Sequence, residues 1–156
     1  PQGASGEIVY RGPQVMTEYL RDEATTNAAF KYGWFHSGDC GRFDEDGILW
    51  FEDRFKDVIK SGGENVASIE VEKALYAADP AIQEVAVIGL PHERWGEAVT
   101  AVVVLKEGQQ VSEKYLLEKI RQHLSPFKCP KRILFTDAMP KTATGKVRRA
   151  NYAANT

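Results

Sequence analysis

Hydrophobic and polar positions along the first third of the chain predict short antiparallel strands. Residues 7–10 alternate as a half-buried strand does. Residues 13–31 predict a short helix, with Thr25 or Thr26 as its N-terminal cap. Two more strands follow within residues 33–54, separated by the acidic turn "DEDG", whose Asp-Gly pair is typical of a hairpin.

From Phe55 onward, strand patterns alternate with amphipathic helices. A strand end leads into the glycine loop of "VIKSGGEN", and Ser68 is expected to cap the helix that follows. The β-branched runs "EVAVIGL" and "VTAVVVL" are typical of inner strands. Ser112 opens a second helix that Pro126 ends, and "RILFT" adds a third strand. Each helix carries an apolar stripe: Val71, Ala74, Leu75 and Ala78 on the first, and Leu116, Leu117, Ile120 and Leu124 on the second.

This order of elements predicts an α+β fold. A three-stranded sheet, a β-hairpin and two covering helices would bury both apolar stripes between about residues 55 and 150. We expect residues 1–53 to be the antiparallel end of a larger neighbouring domain, because the chain enters its first strand without a helix or a cap.

Composition sets the broad class of protein. The 156 residues are 43% hydrophobic and 27% charged, which is typical of a globular protein with a core. No apolar run is long enough to be a transmembrane segment, and the first residues lack the regions of a signal peptide, so we expect a cytoplasmic protein. Cys40 and Cys129 show neither metal-ligand spacing nor disulfide density, and we expect no metal site.

The net charge of −2 conceals an asymmetry along the chain. Residues 1–53 hold ten acidic and four basic side chains, whereas residues 128–149 hold seven Lys or Arg and one Asp. The carboxyl-terminal part therefore offers a positive field to an anion. Nucleic acid, a nucleotide phosphate and a solvated basic face all fit this observation.

The segment "PKTATGKVRR" places a Gly-Lys pair close to the end of the chain. It is not a P-loop, because Pro140 and Val147 occupy the positions where that motif needs a glycine and a Ser or Thr. The pair still has a physical use. Gly145 lets the backbone approach a ligand, and Lys146 carries a mobile positive charge on a long stem.

Three other segments carry candidate chemistry. "GWFHSGDCG" sets Asp39 between glycines, where a carboxylate suits paired hydroxyl groups. "DRFKDVIKSGGENV" contains Arg54 and Lys56 on a connection between domains, followed by a glycine loop. "HLSPFKCPKRILF" places Phe127 among several cations.

In their order and spacing, "GWFHSGDCG", "DRFKDVIKSGGENV" and "PKTATGK" resemble signatures of the adenylate-forming superfamily of acyl-CoA synthetases, adenylation domains and luciferases. "SGGENV" and "AVIGLPHERWGEAVTAVVV" look most like the bacterial fatty-acyl-CoA ligases. The resemblance implies that residues 1–53 end the large amino-terminal domain, that residues 54–56 form a hinge, and that residues 57–156 form a carboxyl-terminal lid domain with a catalytic-lysine tail.

The resemblance also assigns roles to individual residues. Asp39 would hold the ribose hydroxyls of ATP and of the acyl-adenylate, with Arg54 assisting, and Lys56 would be the hinge residue. Lys146 would bridge the substrate carboxylate and the α-phosphate during adenylation.

A second set of roles concerns the acceptor. Gly62 and Gly63 would line the pantetheine channel during thioester formation. Phe127 and Lys131 match positions that contact the CoA nucleotide, although Cys129 stands where a basic residue often accompanies them.

The implied reaction uses ATP, Mg²⁺ and coenzyme A to convert a fatty acid into an acyl-adenylate and then an acyl-CoA. The phosphate loop and the acyl pocket of the family lie in an amino-terminal domain outside these residues, so we expect the chain alone to be inactive. One alternative is an adenylation domain that loads a carrier protein. The other is a nucleic-acid-binding module built on residues 128–149, which has no recognisable binding motif and which we do not favour.

Overall fold

The computed structural model of the protein describes residues 2–149 and 152. The chain divides between Lys56 and Asp57 into two units, each with its own internal contacts. Both units combine strands with helices, and the predicted α+β class is confirmed. No helix among the described residues has the length and apolar character needed to span a membrane.

The first unit is a three-stranded antiparallel sheet in the order β1-β2-β3, with one α-helix and a short 3₁₀ turn at Lys31–Gly33 between β1 and β2. The elements are β1 (Gly6–Tyr10), α1 (Glu23–Ala29), β2 (Phe35–Phe43) and β3 (Leu49–Arg54). The predicted turn "DEDG" connects β2 and β3. Asp44 fixes it, because its Oδ1 accepts hydrogen bonds from the amides of Asp46 and Ile48.

The predicted cap of α1 is wrong by three or four residues. Asp22 is the N-terminal cap, and its Oδ1 accepts a hydrogen bond of 2.9 Å from the Thr25 amide. Thr25 and Thr26 lie within the first helical turns. A carboxylate one turn earlier is an equally good cap by composition, so the local sequence did not decide between them.

The second unit is built on a mixed five-stranded sheet with the order β5-β4-β7-β6 and with β8 paired parallel to β7. Its strands are β4 (Ile59–Ser61), β5 (Glu64–Val66), β6 (Ile82–His92), β7 (Gly96–Leu105) and β8 (Arg132–Phe135), and its helices are α2 (Ser68–Ala78) and α3 (Glu113–Ile120). The predicted three-stranded sheet is β6-β7-β8. The predicted hairpin is β4-β5, which joins the same sheet where Ser61 pairs with Gly96.

The two faces of this sheet bury different segments. On one face, alternate residues of β6 and β7 pack with both helices around the fully buried Leu75, Leu116 and Ile120. On the other face, the intervening residues pack against Met139, with Val147 beside them. Side chains alternate between the two faces along a strand, so the second face of β6 and β7 is apolar as well. Met139, in the segment after β8, covers this second face.

The two predicted helix caps of this unit have different outcomes. Ser112 is confirmed, because its Oγ accepts a hydrogen bond of 3.2 Å from the Tyr115 amide. Ser68 is not the cap of α2. The helix begins at Ser68 after Ala67, and the buried Ser68 Oγ accepts a hydrogen bond from Arg149.

Candidate functional site

Asp39 and Arg54 face each other in the first unit. They are register partners on β2 and β3, and Asp39 Oδ1 lies 3.2 Å from Arg54 Nε. The pair is an ion pair without hydrogen-bond geometry, since Asp39 Oδ1 is buried and accepts no hydrogen bond among the described residues. A carboxylate oxygen in this state retains its acceptor capacity for a ligand hydroxyl.

The chain leading to Asp39 is held by β1. Ser37 Oγ donates a hydrogen bond of 2.6 Å to the Ile8 carbonyl and accepts one of 3.0 Å from the Asp39 amide. Gly38, with φ +71°, donates from its amide to Glu7 at 3.1 Å. Positive φ is costly for other residue types, so the glycine before Asp39 has a structural reason.

Glu7 also pairs with His36, a residue to which sequence reasoning gave no role. Glu7 Oε2 lies 2.7 Å from His36 Nδ1. The hydrogen bond from His36 is the main cause that lowers the pKa of Glu7, and it outweighs the opposite effect of burial. The ionised Glu7 therefore helps to fix the part of β2 that carries Asp39.

Gly62 and Gly63 form the two-residue turn of the β4-β5 hairpin, with φ of +62° and +87°. Positive φ at both positions is typical of a type I′ hairpin turn. The Gly62 amide donates a hydrogen bond of 2.8 Å to the Trp95 carbonyl. A Cβ atom on Gly62 would lie only 3.1 Å from Trp95 Cε3, whereas one on Gly63 would meet nothing within 4 Å.

Trp95 connects the glycine turn with Lys131. Lys131 Nζ lies 5.1 Å from the centroid of the Trp95 ring, and the Arg94 guanidinium lies 4.7 Å from it. Both separations are within the range of cation–π interactions. The approach of Lys131 to Trp95 has no signal in the local sequence.

A cavity of about 400 Å³ shares Lys131 with this cluster. Arg132 and His92 also line it, and its other lining residues are Leu90, Pro91, Ala98 and Thr100. Lys131 Nζ donates a hydrogen bond to the Pro126 carbonyl, next to the exposed Phe127. Trp95 therefore contacts both Gly62 and Lys131. Phe127 directly follows Pro126, whose carbonyl accepts the hydrogen bond from Lys131.

Cys129 does not take part in this cationic surface. Its side chain is buried, and its Sγ contacts the carbonyls of Leu124 and Ser125. Burial raises the pKa of the Cys129 thiol. The position that departs from the family pattern thus belongs to the core.

Lys146 lies on a closed turn. Lys141 and Val147 form an antiparallel bridge, and the Thr142 amide donates to the Lys146 carbonyl at 2.8 Å. Thr142 Oγ1 accepts from the Lys146 amide at 3.1 Å, and Gly145 has φ +81°. The Lys146 side chain is exposed and makes no ion pair with any residue that the structure describes.

The segment around this turn is anchored at both ends, contrary to the irregular tail expected from sequence. Lys141 Nζ lies 2.8 Å from Glu84 on β6. Arg149, which sequence reasoning did not single out, lies 2.7 Å from Glu72 and 3.1 Å from Asp57. In the sequence, Arg149 is visible only as one of two consecutive arginines, 148 and 149. The sequence does not indicate which of the two forms ion pairs.

The predicted site residues thus occupy three places. Asp39 and Arg54 form one pair in the first unit, Gly62 and Lys131 meet at Trp95 in the second, and Lys146 stands on its own turn in the second unit. Lys56 is the last residue of the first unit and is exposed.

Comparison with known proteins places the chain in a family. Residues 70–146 match the family model of the AMP-binding enzyme C-terminal domain, and the match ends at Lys146. The chain is also 46% identical over 147 residues to an indoleacetate–CoA ligase of Aromatoleum aromaticum, covering 94% of this chain and 29% of that protein.

The chain belongs to the adenylate-forming enzymes. Two solved structures of this family are similar to it along nearly its whole length. The ATP-bound MatB of Rhodopseudomonas palustris has a TM-score of 0.90 at 37% identity, covering 99% of this chain and 31% of that one. The o-succinylbenzoate CoA synthetase of Bacillus subtilis, in complex with its acyl-adenylate intermediate, has a TM-score of 0.91 at 35% identity, covering 97% and 31%. The chain therefore spans less than a third of the length of these relatives.

Proposed function

We propose that this chain is the carboxyl-terminal part of an ATP-dependent acid–CoA ligase. In the first half-reaction a substrate carboxylate attacks the α-phosphorus of ATP, an acyl-adenylate forms and pyrophosphate leaves. In the second, the thiol of CoA attacks the acyl carbonyl, a thioester forms and AMP leaves. One observation carries the proposal: the family match ends at Lys146, which has a hydrogen-bonded backbone and a side chain that forms no ion pair within residues 2–149 and 152.

Lys146 is the proposed catalytic residue of adenylation. Attack of a carboxylate on a phosphate brings two anions together, so a positioned cation lowers the barrier by stabilising the charge that they share. The closed turn supports this role, because it holds the lysine stem at a defined place while the ammonium group remains available.

Asp39 is proposed to hold the ribose hydroxyls, with Arg54 at the same sugar. The support is the buried Asp39 Oδ1 that accepts no hydrogen bond among the described residues. Such an atom gains stability when a ligand hydroxyl donates to it, because an unsatisfied buried acceptor is costly. Arg54 Nε lies 3.2 Å from that oxygen and supplies positive charge at the same place.

The turn of Gly62 and Gly63 is proposed to line the pantetheine channel, with Lys131 and Phe127 near the CoA nucleotide. The absence of side chains on this turn lets a thin ligand pass close to the backbone. The two cations beside Trp95 and the adjoining cavity fit a ligand that carries phosphate groups and an aromatic base.

The two half-reactions need different groups at one reaction centre, so we propose that residues 57–156 turn about the hinge at residues 54–56 between them. The division of the chain between Lys56 and Asp57 supports this boundary. Turning one domain lets Lys146 and the glycine turn act in succession. Residues 1–53 are then the end of the large domain that supplies the rest of the site.

The substrate class remains a proposal. The resemblance of "SGGENV" to fatty-acyl-CoA ligases favours a fatty acid, while two of the relatives named above are an indoleacetate–CoA ligase and an o-succinylbenzoate CoA synthetase. A cytoplasmic location is likewise a prediction.

Among residues 2–149 and 152 no group of three or more His, Cys, Asp or Glu is placed to hold a metal ion. None of the steps assigned to these residues involves the family's Mg²⁺.

The alternative of a nucleic-acid partner is weakened by the pairing of its cations. Within the basic segment 128–149, Lys128 pairs with Glu70, and Lys141 and Arg149 also pair with carboxylates. Cations neutralised in this way contribute less to a field that attracts a polyanion.

The test uses the full-length protein that contains this chain. We expect it to exchange labelled pyrophosphate into ATP only when a carboxylic acid is present, and to release AMP when CoA is added. A panel of fatty acids of increasing length and of aryl acids identifies the substrate, and a pantetheinylated carrier protein offered in place of CoA identifies the acceptor. Acid-independent exchange, or no exchange with any acid, contradicts the proposal. The isolated 156-residue chain is expected to give no exchange.

A further inference from the structure

Arg149 is the most connected cation of the chain's end. Its Nη1 lies 3.1 Å from Asp57 Oδ2 and donates a hydrogen bond of 3.0 Å to Ser68 Oγ. Its Nη2 lies 2.7 Å from Glu72 Oε1. The Arg149 side chain is only 26% exposed, so these contacts are shielded from solvent more than an ordinary surface ion pair.

The partners of Arg149 belong to the body of the second unit. Asp57 is the first residue of that unit, and Ser68 and Glu72 lie in the first two turns of α2. Glu72 Oε1 also accepts a hydrogen bond of 2.9 Å from the Val87 amide on β6. One guanidinium therefore connects the end of the chain with the start of the unit, with a helix and, through Glu72, with the central sheet.

The other side of Arg149 is the Lys146 turn. Only three peptide units separate the two residues, which limits the distance between their Cα atoms to about 11 Å. The Arg148 amide donates a hydrogen bond of 2.7 Å to the Pro140 carbonyl, so the intervening backbone is itself paired. Fixing Arg149 consequently restricts where Lys146 can be.

We propose that Arg149 is a positioning residue that holds the Lys146 turn on the body of the second unit. Because Asp57 directly follows the hinge residue Lys56, rotation about the hinge then carries Lys146 as part of a rigid body. This inference rests on the proposed function, which supplies the hinge and the role of Lys146. The guanidinium is engaged by Asp57, Ser68 and Glu72, and we assign its effect on the reaction to its hold on Lys146.

The structural test measures amide hydrogen exchange in the full-length protein. Arg149→Ala is expected to accelerate exchange of the amides of Thr142, Lys146 and Arg148 by about 10-fold or more, because hydrogen bonds to charged groups each contribute on that scale. Arg148→Ala is the matched control, since the Arg148 side chain is exposed and forms no ion pair within residues 2–149 and 152. Unchanged exchange at these three amides in Arg149→Ala, or an equal change in Arg148→Ala, overturns the proposal.

The functional test separates the two half-reactions. Arg149→Ala is expected to lower acid-dependent pyrophosphate exchange about 10- to 100-fold, since a misplaced catalytic group loses rate on that scale. Thioester formation from acyl-adenylate supplied directly is expected to stay within about 2-fold, because Lys146 acts only in the first step. Arg149→Lys keeps the charge but loses the paired donors. Its rate of pyrophosphate exchange is expected to lie between those of the wild type and Arg149→Ala. An equal loss in both half-reactions, or a loss in neither, contradicts the positioning role.

The variants also guard against simple unfolding. If Arg149→Ala abolishes both half-reactions and the protein also loses its thermal transition, Asp57→Asn is used in its place. This variant weakens the ion pair between Arg149 and Asp57 and keeps the arginine. It is expected to accelerate exchange at the same three amides, and failure to do so overturns the proposal. The exchange readout needs no enzymatic activity. A protein without acid-dependent pyrophosphate exchange therefore refutes the proposed function, while the anchoring of the turn is still decided by the exchange data.

Discussion

Replacing Gly62 with alanine is expected to loosen the β4-β5 turn more than the same replacement of Gly63. Both glycines have positive φ, so each alanine has a backbone cost of about 1 to 2 kcal/mol. Only Gly62 faces Trp95, where the new Cβ would lie 3.1 Å from Cε3. This separation is tighter than an ordinary carbon contact, so the indole must give by a few tenths of an ångström.

The collision adds a cost that Gly63→Ala lacks. Overpacking of this size typically costs about 1 kcal/mol or more, which corresponds to about 5- to 10-fold in an opening equilibrium. The assay is native-state hydrogen exchange at the amide of residue 62, which donates to the Trp95 carbonyl. That amide is expected to exchange at least about 5-fold faster in Gly62→Ala than in Gly63→Ala.

A third glycine controls for the backbone effect alone. Gly108 has φ +73° and open space around its missing Cβ, and it lies in the turn between β7 and α3. Gly108→Ala should leave exchange at residue 62 at its original rate. Equal exchange in Gly62→Ala and Gly63→Ala would refute the reasoning, because it would mean that the Trp95 indole does not constrain the turn.

Three further outcomes are expected. Asp39→Ala in the full-length protein should lower pyrophosphate exchange at subsaturating ATP by about 10-fold or more, because the carboxylate proposed to accept hydrogen bonds from the ribose hydroxyls is lost. An unchanged dependence of the exchange rate on ATP concentration argues against ribose binding at Asp39. The Glu7 carboxylate has a lowered pKa, so its pair with His36 stabilises the fold above about pH 4.3 and this stabilisation is lost as pH falls through the lower folded-state pKa. The difference in thermal stability between wild type and Glu7→Gln should accordingly be present at pH 7 and shrink in acid, and a difference that grows as pH falls contradicts the assignment. Ser112→Ala should lower the free energy of unfolding by about 1 kcal/mol, measured by urea denaturation, because the Tyr115 amide loses its cap; no change would show that the cap is not needed.

The parts of the fold that depend on short-range pattern were predictable. The alternating β-branched runs became β6 and β7, and their two faces acquired separate cores because side chains alternate along a strand. The Gly-Gly turn and the Ser112 cap follow from local backbone chemistry. The roles of the candidate site residues stay predictions, which rest on the resemblance of short segments to family signatures.

Contacts between distant segments were not predictable. Ser68 looked like a helix cap, but its hydroxyl accepts from Arg149, a residue 81 positions away. Arg149 reaches Glu72 across 77 positions, and nothing in the local sequence distinguishes it from the exposed Arg148. Trp95 gains Lys131 as a neighbour only when β7 and the segment before β8 come together, where the Lys131 amide donates to the Val99 carbonyl. Side-chain pairing of this kind is decided by tertiary packing, which a single sequence does not display.

Lys146 is proposed to act in adenylation and not in thioester formation. Its most direct test is Lys146→Ala in the full-length protein, with acid-dependent pyrophosphate exchange and thioester formation from supplied acyl-adenylate measured side by side. The account predicts a loss of about 100- to 1000-fold in the exchange, with the thioester rate nearly unchanged. An exchange rate equal to that of the wild type would contradict it.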